Sequence, residues 1–231
     1  MKIETVILGK DEYEFFRVLG RVLELSEERG HLVSVLLDKD IPSWFLKVLH
    51  GYENVWGDKL QVLRHRLNRN FAAHRNYGIS KVRDGVEYAV FLDADEWVGR
   101  EFYNALEEHC KSGLFAGWLP RIGIHWIGDY LKGGEIKPEA YNVGELFAKL
   151  SLDSNFKLEE DWRDPMRVVF PDWQSRLVKI GSETFWRSTA HEHLYSNIEG
   201  EGENYKHEWV IDERLLIWHT KWGSEERRYF R

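Results

Sequence analysis

Apolar and polar positions along the first 120 residues fall into blocks of strand length and helix length. Short apolar runs are separated by stretches in which apolar residues recur every three or four positions, the period of an amphipathic helix. The predicted strands are residues 3–8, 31–37, 59–63, 87–92 and 114–119, and the predicted helices are residues 12–29, 42–49, 68–82 and 100–111. This alternation predicts an α/β fold with a mostly parallel central sheet and helices on both of its faces.

The pattern weakens after Pro120. Residues 120–165 are rich in glycine and lack long periodic runs, so we predict an irregular segment there. Short strands are predicted at residues 174–180, 205–211 and 214–219, and the sequence ends in a charged, helix-like stretch, SEERRYFR. We therefore predict one domain over residues 1–231 that ends in a smaller β-rich portion.

Acidic residues follow two of the predicted strands at their carboxyl ends, where open parallel sheets bind ligands. Asp38 and Asp40 follow the second strand, and Asp93 and Asp95 follow the apolar run EYAVFL. Two carboxylates one residue apart repel each other and need a cation. Such hard oxygen ligands suit Mg²⁺ or Mn²⁺ bridging a diphosphate. The alternative is that one Asp caps the following helix and the other is solvated.

Arg75 falls inside the apolar arc of the predicted helix at residues 68–82. A guanidinium on a core-facing stripe is unfavourable unless a carboxylate, phosphate or carbonyl fixes it. Its partner is either Asp38 or Asp93, which would make Arg75 structural, or the base or phosphate of a nucleotide. Both interpretations place Arg75 beside the acidic residues.

A third group of polar residues lies late in the chain. Glu192 stands between two histidines in AHEH, and neighbouring imidazoles and partial burial can move a carboxylate pKa toward neutrality, as a general base requires. His219 ends the apolar run LLIWH and could add a neutral nitrogen ligand to two carboxylates, a set that suits Mn²⁺. The alternative is that each histidine is a hydrogen-bonded core residue. The spacing differs from the H-E-x-x-H zinc motif.

Composition narrows the class of function. The net charge of −7 argues against a general nucleic-acid binder, although seven basic residues between positions 59 and 83 could face a phosphorylated ligand or a solvated surface. The 11 Trp suit either core packing or sugar recognition. Cys110 is the only cysteine, and neither a signal peptide nor an apolar run of membrane-spanning length is present. We expect a cytoplasmic protein without stable membrane insertion.

Three stretches resemble family 2 glycosyltransferases of the GT-A fold, especially the small bacterial and phage branch related to lipopolysaccharide core glucosyltransferases. NFAAHRNYGISKVRDGVEYAVFLDADEWV is similar to that family's Arg-Asn-x-Gly-Ile helix and D-x-D strand. WQSRLVKIGSETFWRSTAHEHL resembles its Arg-Leu strand and His-Glu element, and IWHTKWGSEERRYFR resembles its closing strand with a late His.

The resemblance implies a metal-dependent transferase that moves one sugar from a nucleotide-sugar, with a UDP-sugar as first choice, to an acceptor glycan, protein or hydroxylated DNA base. Residues 1–119 would bind the nucleotide-sugar, and residues 120–231 would form the acceptor-binding and C-terminal part. Glu192 would be the catalytic base, with Asp172 as second choice. The implied nucleotide-sugar-binding residues are Asp38, Arg75, Asp93 and Arg176. The implied ligands of Mn²⁺ or Mg²⁺ are Asp93, Asp95 and His219.

The sequence also departs from the family's usual pattern. The first-strand motif is only loosely present in VILGKDE, and the second-strand motif reads LLDKDIP. The Gln-x-x-Arg-Trp signature of processive enzymes is absent, which favours single-sugar transfer, and inversion is implied by the family alone. Two alternatives are a sugar-1-phosphate nucleotidyltransferase, although only Gly9 stands where its Gly-rich loop would lie, and a non-catalytic carbohydrate-binding protein.

Overall fold

The structure is a computed structural model that describes residues 1–10, 13–114, 116–126, 142–153, 158–163, 166–187, 193–196 and 207–222. The chain forms two compact units whose segments alternate along the sequence. The first contains Met1–Ala94, Leu106–Trp118 and Ser175–Glu208. The second contains Asp95–Ala105, Leu119–Gln174 and Trp209–Arg231. The prediction of one domain with functional halves that meet at residue 119 stays a prediction.

The first unit is built on a parallel sheet, as the alternating pattern predicts. Its strands are β1 (Ile3–Gly9), β2 (Leu32–Leu37), β3 (Leu60–Arg64) and β4 (Tyr88–Asp93), in the order β3-β2-β1-β4. All six residues of β2 are buried, which is typical of a parallel strand covered on both faces. Strand β2 ends directly before Asp38, β3 ends directly before His65, and β4 ends at Asp93, the first acid of the predicted D-x-D pair.

Helices α1 (Tyr13–Glu27), α2 (Ser43–Trp56) and α3 (Phe71–Ile79) connect these strands, and α4 (Phe102–Lys111) follows β4 further along the chain. All four helices were predicted, with different ends. Helix α2 extends seven residues past its predicted end at residue 49 and stops where Gly57 takes a φ of 49°. Helix α3 is shorter than predicted because the side chain of Asn70 accepts a hydrogen bond from the Ala73 N–H and thereby sets its start.

Helix α3 lies close to the sheet because residue 78 has no side chain. A Cβ at Gly78 would lie 3.1 Å from Cε1 of Phe91 and 3.2 Å from Cδ2 of Leu36, tighter than ordinary packing allows. Phe91 also packs edge-on against Trp186, which is almost fully buried. This close approach places the polar residues of α3 beside the end of β4.

Later segments of the chain complete the first unit. The last residues of β8 (Met166–Lys179) pair antiparallel with β4, in the register Ala89 with Val178. Strands β9 (Thr184–Arg187) and β10 (His193–Ser196) form an antiparallel pair. Residues 174–180 were predicted as a separate short strand, and residues 174–179 prove to be the end of this 14-residue strand.

The second unit has its own strands and a core of its own. They are β5 (Glu96–Val98), β6 (Ala116–Trp126, of which residues 119–126 belong here), β7 (Leu158–Arg163) and β12 (Ile217–Trp222). Strand β12 pairs parallel with β6 and antiparallel with β5. Helix α5 (Val143–Leu152) packs Leu146, Phe147 and Leu150 into this core.

The predicted irregular segment at residues 120–165 is wrong over most of the part that the structure describes. Residues 120–126 continue β6, and the later residues form α5 and β7. This part of β6 was not predicted because Pro120 and Gly123 are uncommon inside strands. Helix α5 was not predicted because its ten residues are too few to show a clear helical period. Of the last predicted strands, β11 (His207–Trp209) is shorter than predicted, and a short 3₁₀ turn (Glu213–Leu215) precedes β12. Residues 127–141 and the C-terminal SEERRYFR lie outside the described residues.

No helix in the described part of the chain combines the length and the apolar character that crossing a membrane requires.

Candidate active site

Asp93, the last residue of β4, binds two arginines within the first unit. One carboxylate oxygen accepts a hydrogen bond from Nη2 of Arg75 at 2.9 Å, and the other accepts one from Nη2 of Arg176 at 2.6 Å. The side chains of Arg75 and Arg176 are 5% and 1% exposed, whereas that of Asp93 is 30% exposed. Of the two carboxylates predicted as partners of Arg75, Asp93 is the one that binds it.

The two arginines come from different elements, α3 and β8, and the carboxylate between them offsets the cost of burying their charge. Trp186 lies on the other side of Arg75, whose guanidinium carbon is 5.9 Å from the centre of the indole ring. Asn76 fixes this tryptophan from α3: its side-chain amide donates to the Trp186 carbonyl at 2.9 Å and accepts from the Trp186 N–H at 2.8 Å. The position of Arg75 is therefore set by both a charge and an aromatic ring.

Asp95 and His219 meet in the second unit. Oδ2 of Asp95 lies 3.4 Å from Nε2 of His219, whose side chain is 3% exposed. Strand pairing explains this contact, because Glu96, the first residue of β5, pairs with His219 on β12. The structure thus brings together two residues that the sequence separates by 124 positions. Among the described residues, no group of three or more His, Cys, Asp or Glu side chains is arranged to hold a metal ion.

Asp172, the second predicted catalytic base, is bound by the guanidinium of Arg121. It accepts hydrogen bonds from Nε and Nη2 of Arg121 at 2.9 and 2.5 Å and from Nε2 of Gln174 at 2.7 Å. Burial alone would raise the pKa of Asp172, but Arg121 and Gln174 outweigh it and the pKa lies below its usual value. A carboxylate with a lowered pKa is a weak base, so these contacts disfavour Asp172 as the catalytic base.

Asp38 lies at the end of β2, as predicted, and its Oδ1 is fixed by backbone. It accepts hydrogen bonds from the Lys39 N–H at 2.6 Å and the Leu67 N–H at 3.3 Å. The second contact ties the residue that follows β2 to the loop that follows β3. Glu192 lies outside the described residues, so its predicted role stays a prediction.

The basic residues between positions 59 and 83 do not form one surface. Arg75 binds Asp93, and Arg83 donates to the fully buried carboxylate of Glu4 at 3.0 Å from its backbone N and 3.2 Å from its Nε. Arg64, Arg66 and Arg69 are exposed. The phosphate-binding interpretation therefore applies to single residues of this stretch and not to the whole of it.

Arg121, which bridges Glu96 and Asp172, was not among the residues predicted from the sequence. The same signal that identified Arg75 was available: Arg121 interrupts the apolar run GWLPRIGI, and a charge on an apolar strand needs a partner. Asn76 gave no such signal, since a single Asn on a helix is more often solvated.

Residues 42–151 match the sequence profile of glycosyl transferase family 2. No curated protein matches the chain in sequence. The fold is similar to a crystal structure of GalNAc-T7 with UDP, GalNAc and Mn²⁺, with a TM-score of 0.55 and 12% identity over 95% of this chain and 44% of that one.

A crystal structure of residues 1–349 of TarS from S. aureus is also similar, with a TM-score of 0.41 and 15% identity over 59% of this chain and 39% of that one. The chain spans less than half the length of both of these proteins. The shared architecture shows that the chain has the GT-A fold, and the sequence of residues 42–151 is similar to glycosyl transferase family 2.

Proposed function

We propose that this chain transfers one sugar from a nucleoside diphosphate sugar to an acceptor hydroxyl, with inversion at the anomeric carbon and with the help of Mn²⁺ or Mg²⁺. The proposal rests on the contacts that each acid of the D-x-D pair makes within its own unit. In the first unit Asp93 fixes two buried arginines, and in the second unit Asp95 faces a buried histidine. Cationic side chains suit the diphosphate, and the second acid suits a cation.

Asp95 and His219 have the chemistry of a divalent-cation site. One carboxylate oxygen and one imidazole nitrogen lie 3.4 Å apart, a donor set that suits Mn²⁺. Two protein ligands are enough for this purpose, because a cation of this kind is usually bound through one or two carboxylates together with substrate phosphates and water. When bound, the cation would supply electrostatic stabilisation of the departing nucleoside diphosphate.

Asp93 was predicted as a further metal ligand, but its contacts favour a different role. Both of its oxygens accept hydrogen bonds from guanidinium groups. We assign it to holding Arg75 and Arg176 in place, since planar guanidinium groups recognise phosphate oxygens and need a fixed orientation to do so. Donors that are already oriented lose little entropy when charge develops on the leaving group.

Glu192 is the proposed base that takes the proton of the acceptor hydroxyl. Glu192 is preferred because the second candidate, Asp172, is hydrogen-bonded to Arg121 and its pKa is lowered, which makes Asp172 the weaker base. We expect Glu192→Gln to lower kcat at least about a hundredfold, as is common for loss of a general base. Asp172→Asn should lower the free energy of unfolding and leave kcat nearly unchanged. A large loss of kcat with unchanged stability would instead indicate that Asp172 is the base.

The donor is proposed to be a UDP-sugar. The GalNAc-T7 crystal structure that shares this fold contains UDP and Mn²⁺, which supports a uridine nucleotide and this metal as first choices. The acceptor class is left to experiment, among glycans, proteins and hydroxylated DNA bases. Single-sugar transfer rests on the absence of the Gln-x-x-Arg-Trp signature from the sequence.

The test is a panel of UDP-, GDP-, ADP- and CDP-sugars, each with Mn²⁺, Mg²⁺ or EDTA and with one acceptor of each class. Release of nucleoside diphosphate that stops with EDTA is the expected result. Pyrophosphate as the product would indicate a nucleotidyltransferase instead. Sugar binding without turnover of any donor would indicate a carbohydrate-binding protein, and full activity in EDTA would refute the assigned metal site.

A further inference from the structure

Two histidines face each other in the first unit, close to Asp38. Nδ1 of His65, in the first position after β3, lies 3.2 Å from Nδ1 of His74 on α3, which is hydrogen-bond distance. One of the two nitrogens must therefore carry the proton and the other must accept it. The neighbours of His74 decide which.

His74 is held in its neutral form with the proton on Nε2. The ring is 3% exposed, and burial, with a contribution from His65, lowers the pKa of His74 to about 4. A hydrogen bond with the Leu36 backbone opposes this lowering of the pKa, which is the effect of a carbonyl that accepts from a ring N–H. Because Nδ1 faces His65, we assign the donor to Nε2, which leaves Nδ1 of His74 as an acceptor.

This fixes the tautomer of His65. Its Nδ1 must donate to His74, so the neutral ring carries its proton there and Nε2 has a lone pair. One face of the ring stacks on Tyr77, with centroids 4.5 Å apart and planes at 20°. His65 is partly exposed, and within the described part of the chain no group hydrogen-bonds to its Nε2.

The backbone places this ring at the same rim as Asp38. The His65 N–H donates to the Leu37 carbonyl at 2.9 Å, and the Leu67 N–H donates to Asp38. The carboxyl ends of neighbouring parallel strands are where open α/β sheets bind ligands. The rim thus offers two hydrogen-bond acceptors, a carboxylate and an imidazole nitrogen.

We propose that His65 binds a ribose hydroxyl of the nucleotide donor through Nε2, and that His74 is a positioning residue that keeps this nitrogen an acceptor. A ribose diol can donate from both of its hydroxyls, and it therefore matches two acceptors better than a base edge on which donors and acceptors alternate. The inference rests on the proposed function, because it assumes that a nucleotide binds at these strand ends.

Nucleotide binding by calorimetry tests the contact. The wild type is first screened with UDP, GDP, ADP and CDP, and the tightest binder is then compared with its 2′,3′-dideoxy analogue. His65→Ala should weaken binding of the ribonucleotide about tenfold, the equivalent of one hydrogen bond, and should change binding of the dideoxy analogue less than twofold. The matched control is His50→Ala, since His50 is an exposed histidine on α2 and its loss should change neither affinity.

The possible failures are distinct. If the wild type binds none of the four nucleotides, the proposed function fails. If it binds one and His65→Ala binds both forms as the wild type does, or loses both equally, the ribose contact is refuted. Should His65→Ala not fold, His65→Gln provides the same comparison, because its side-chain oxygen can accept and should retain part of the preference for the ribose form.

The role of His74 has a spectroscopic signature that a purely structural residue would not have. In ¹⁵N spectra of the imidazole rings at neutral pH, His65 should show a protonated Nδ1 and an unprotonated Nε2. In His74→Leu, the ring of His65 should populate both tautomers, and ribonucleotide binding should weaken about threefold. A protonated Nε2 on His65 in the wild type, or an unchanged spectrum in His74→Leu, would overturn the assignment.

Discussion

The two acids of the D-x-D pair should respond differently to the same small substitution. Asp93→Asn and Asp95→Asn each remove one negative charge and keep one acceptor oxygen and nearly the same volume. Asp93 holds two buried arginines, so its replacement should affect stability as well as activity. Asp95 faces His219, so its replacement should affect activity and leave the fold intact.

The magnitude follows from the contacts of Asp93. The Asn oxygen can still accept from one guanidinium, but its amide group cannot accept from the other, so one charge-assisted hydrogen bond is lost. Such bonds contribute roughly 1.5–3 kcal/mol, and the partial exposure of Asp93 favours the middle of that range, about 2 kcal/mol. For a domain of this size, this corresponds to a fall in Tm of about 4–8 °C. Asp95→Asn should cost less than about 1 kcal/mol.

The assay pairs thermal unfolding with donor turnover for the wild type and both variants. Asp84→Asn is the matched control, because Asp84 is an exposed acid outside both groups, and it should match the wild type in both measurements. We expect Asp95→Asn to lose activity at least about a hundredfold, as is usual when an electrostatic contact to the leaving group is removed. Its Tm should stay within about 3 °C of the wild type.

Two results would refute this reasoning. An active Asp95→Asn enzyme that no longer needs a divalent cation would show that Asp95 does not hold the metal. Equal Tm values for Asp93→Asn and the wild type would show that the carboxylate between Arg75 and Arg176 contributes nothing to the fold, and the proposed supporting role of Asp93 would then be wrong.

Three further predictions concern groups outside the D-x-D pair. Arg83→Ala should lower the free energy of unfolding by about 3 kcal/mol in denaturant titrations, because it leaves the carboxylate of Glu4 buried without its guanidinium. Adding Glu4→Gln should restore most of the loss. A loss below about 1 kcal/mol in Arg83→Ala alone would contradict the role of this ion pair. The free energy of unfolding should fall by up to about 3 kcal/mol as the pH drops from about 6.5 to about 4. The reason is that His74 takes up a proton near pH 6.5 in the unfolded chain and only near pH 4 in the folded chain. An equally steep pH dependence in His74→Leu would show that His74 is not the cause. Cys110 should not react with thiol reagents at pH 8 until the protein is unfolded in urea, because burial raises its pKa to about 12, and rapid labelling of the native protein would show that the thiol is accessible.

The sequence predicted what local patterns control. Strand-length apolar runs and helical periods gave the parallel sheet of the first unit, with errors of a few residues at element ends, because the period shows that an element exists better than it shows where capping stops it. Arg75 could be identified for the same reason: a charge on an apolar face needs a partner wherever the helix packs. The acids at residues 38 and 93 were predicted to lie at strand ends because they follow apolar runs directly, and the structure places them there.

Partners could not be chosen from the sequence, because partner choice depends on which distant segments the sheet brings side by side. Arg75 had two candidate carboxylates, and in the folded protein it binds Asp93. The pairing of His219 with Asp95 needed β12 to align against β5. The contact between Asp172 and Arg121 likewise joins segments that are 51 positions apart in the sequence.

Local sequence therefore determined the elements and the residue types at their ends, since hydrophobic period and backbone propensity act over a few residues. Tertiary structure decided which charges meet and which histidine proton is fixed, since ion pairs and hydrogen bonds depend on ångström distances between segments far apart in the chain. His65 and His74 show the difference: neither residue interrupts a pattern strongly enough to be noticed in sequence, and only their 3.2 Å contact gives them a chemical role.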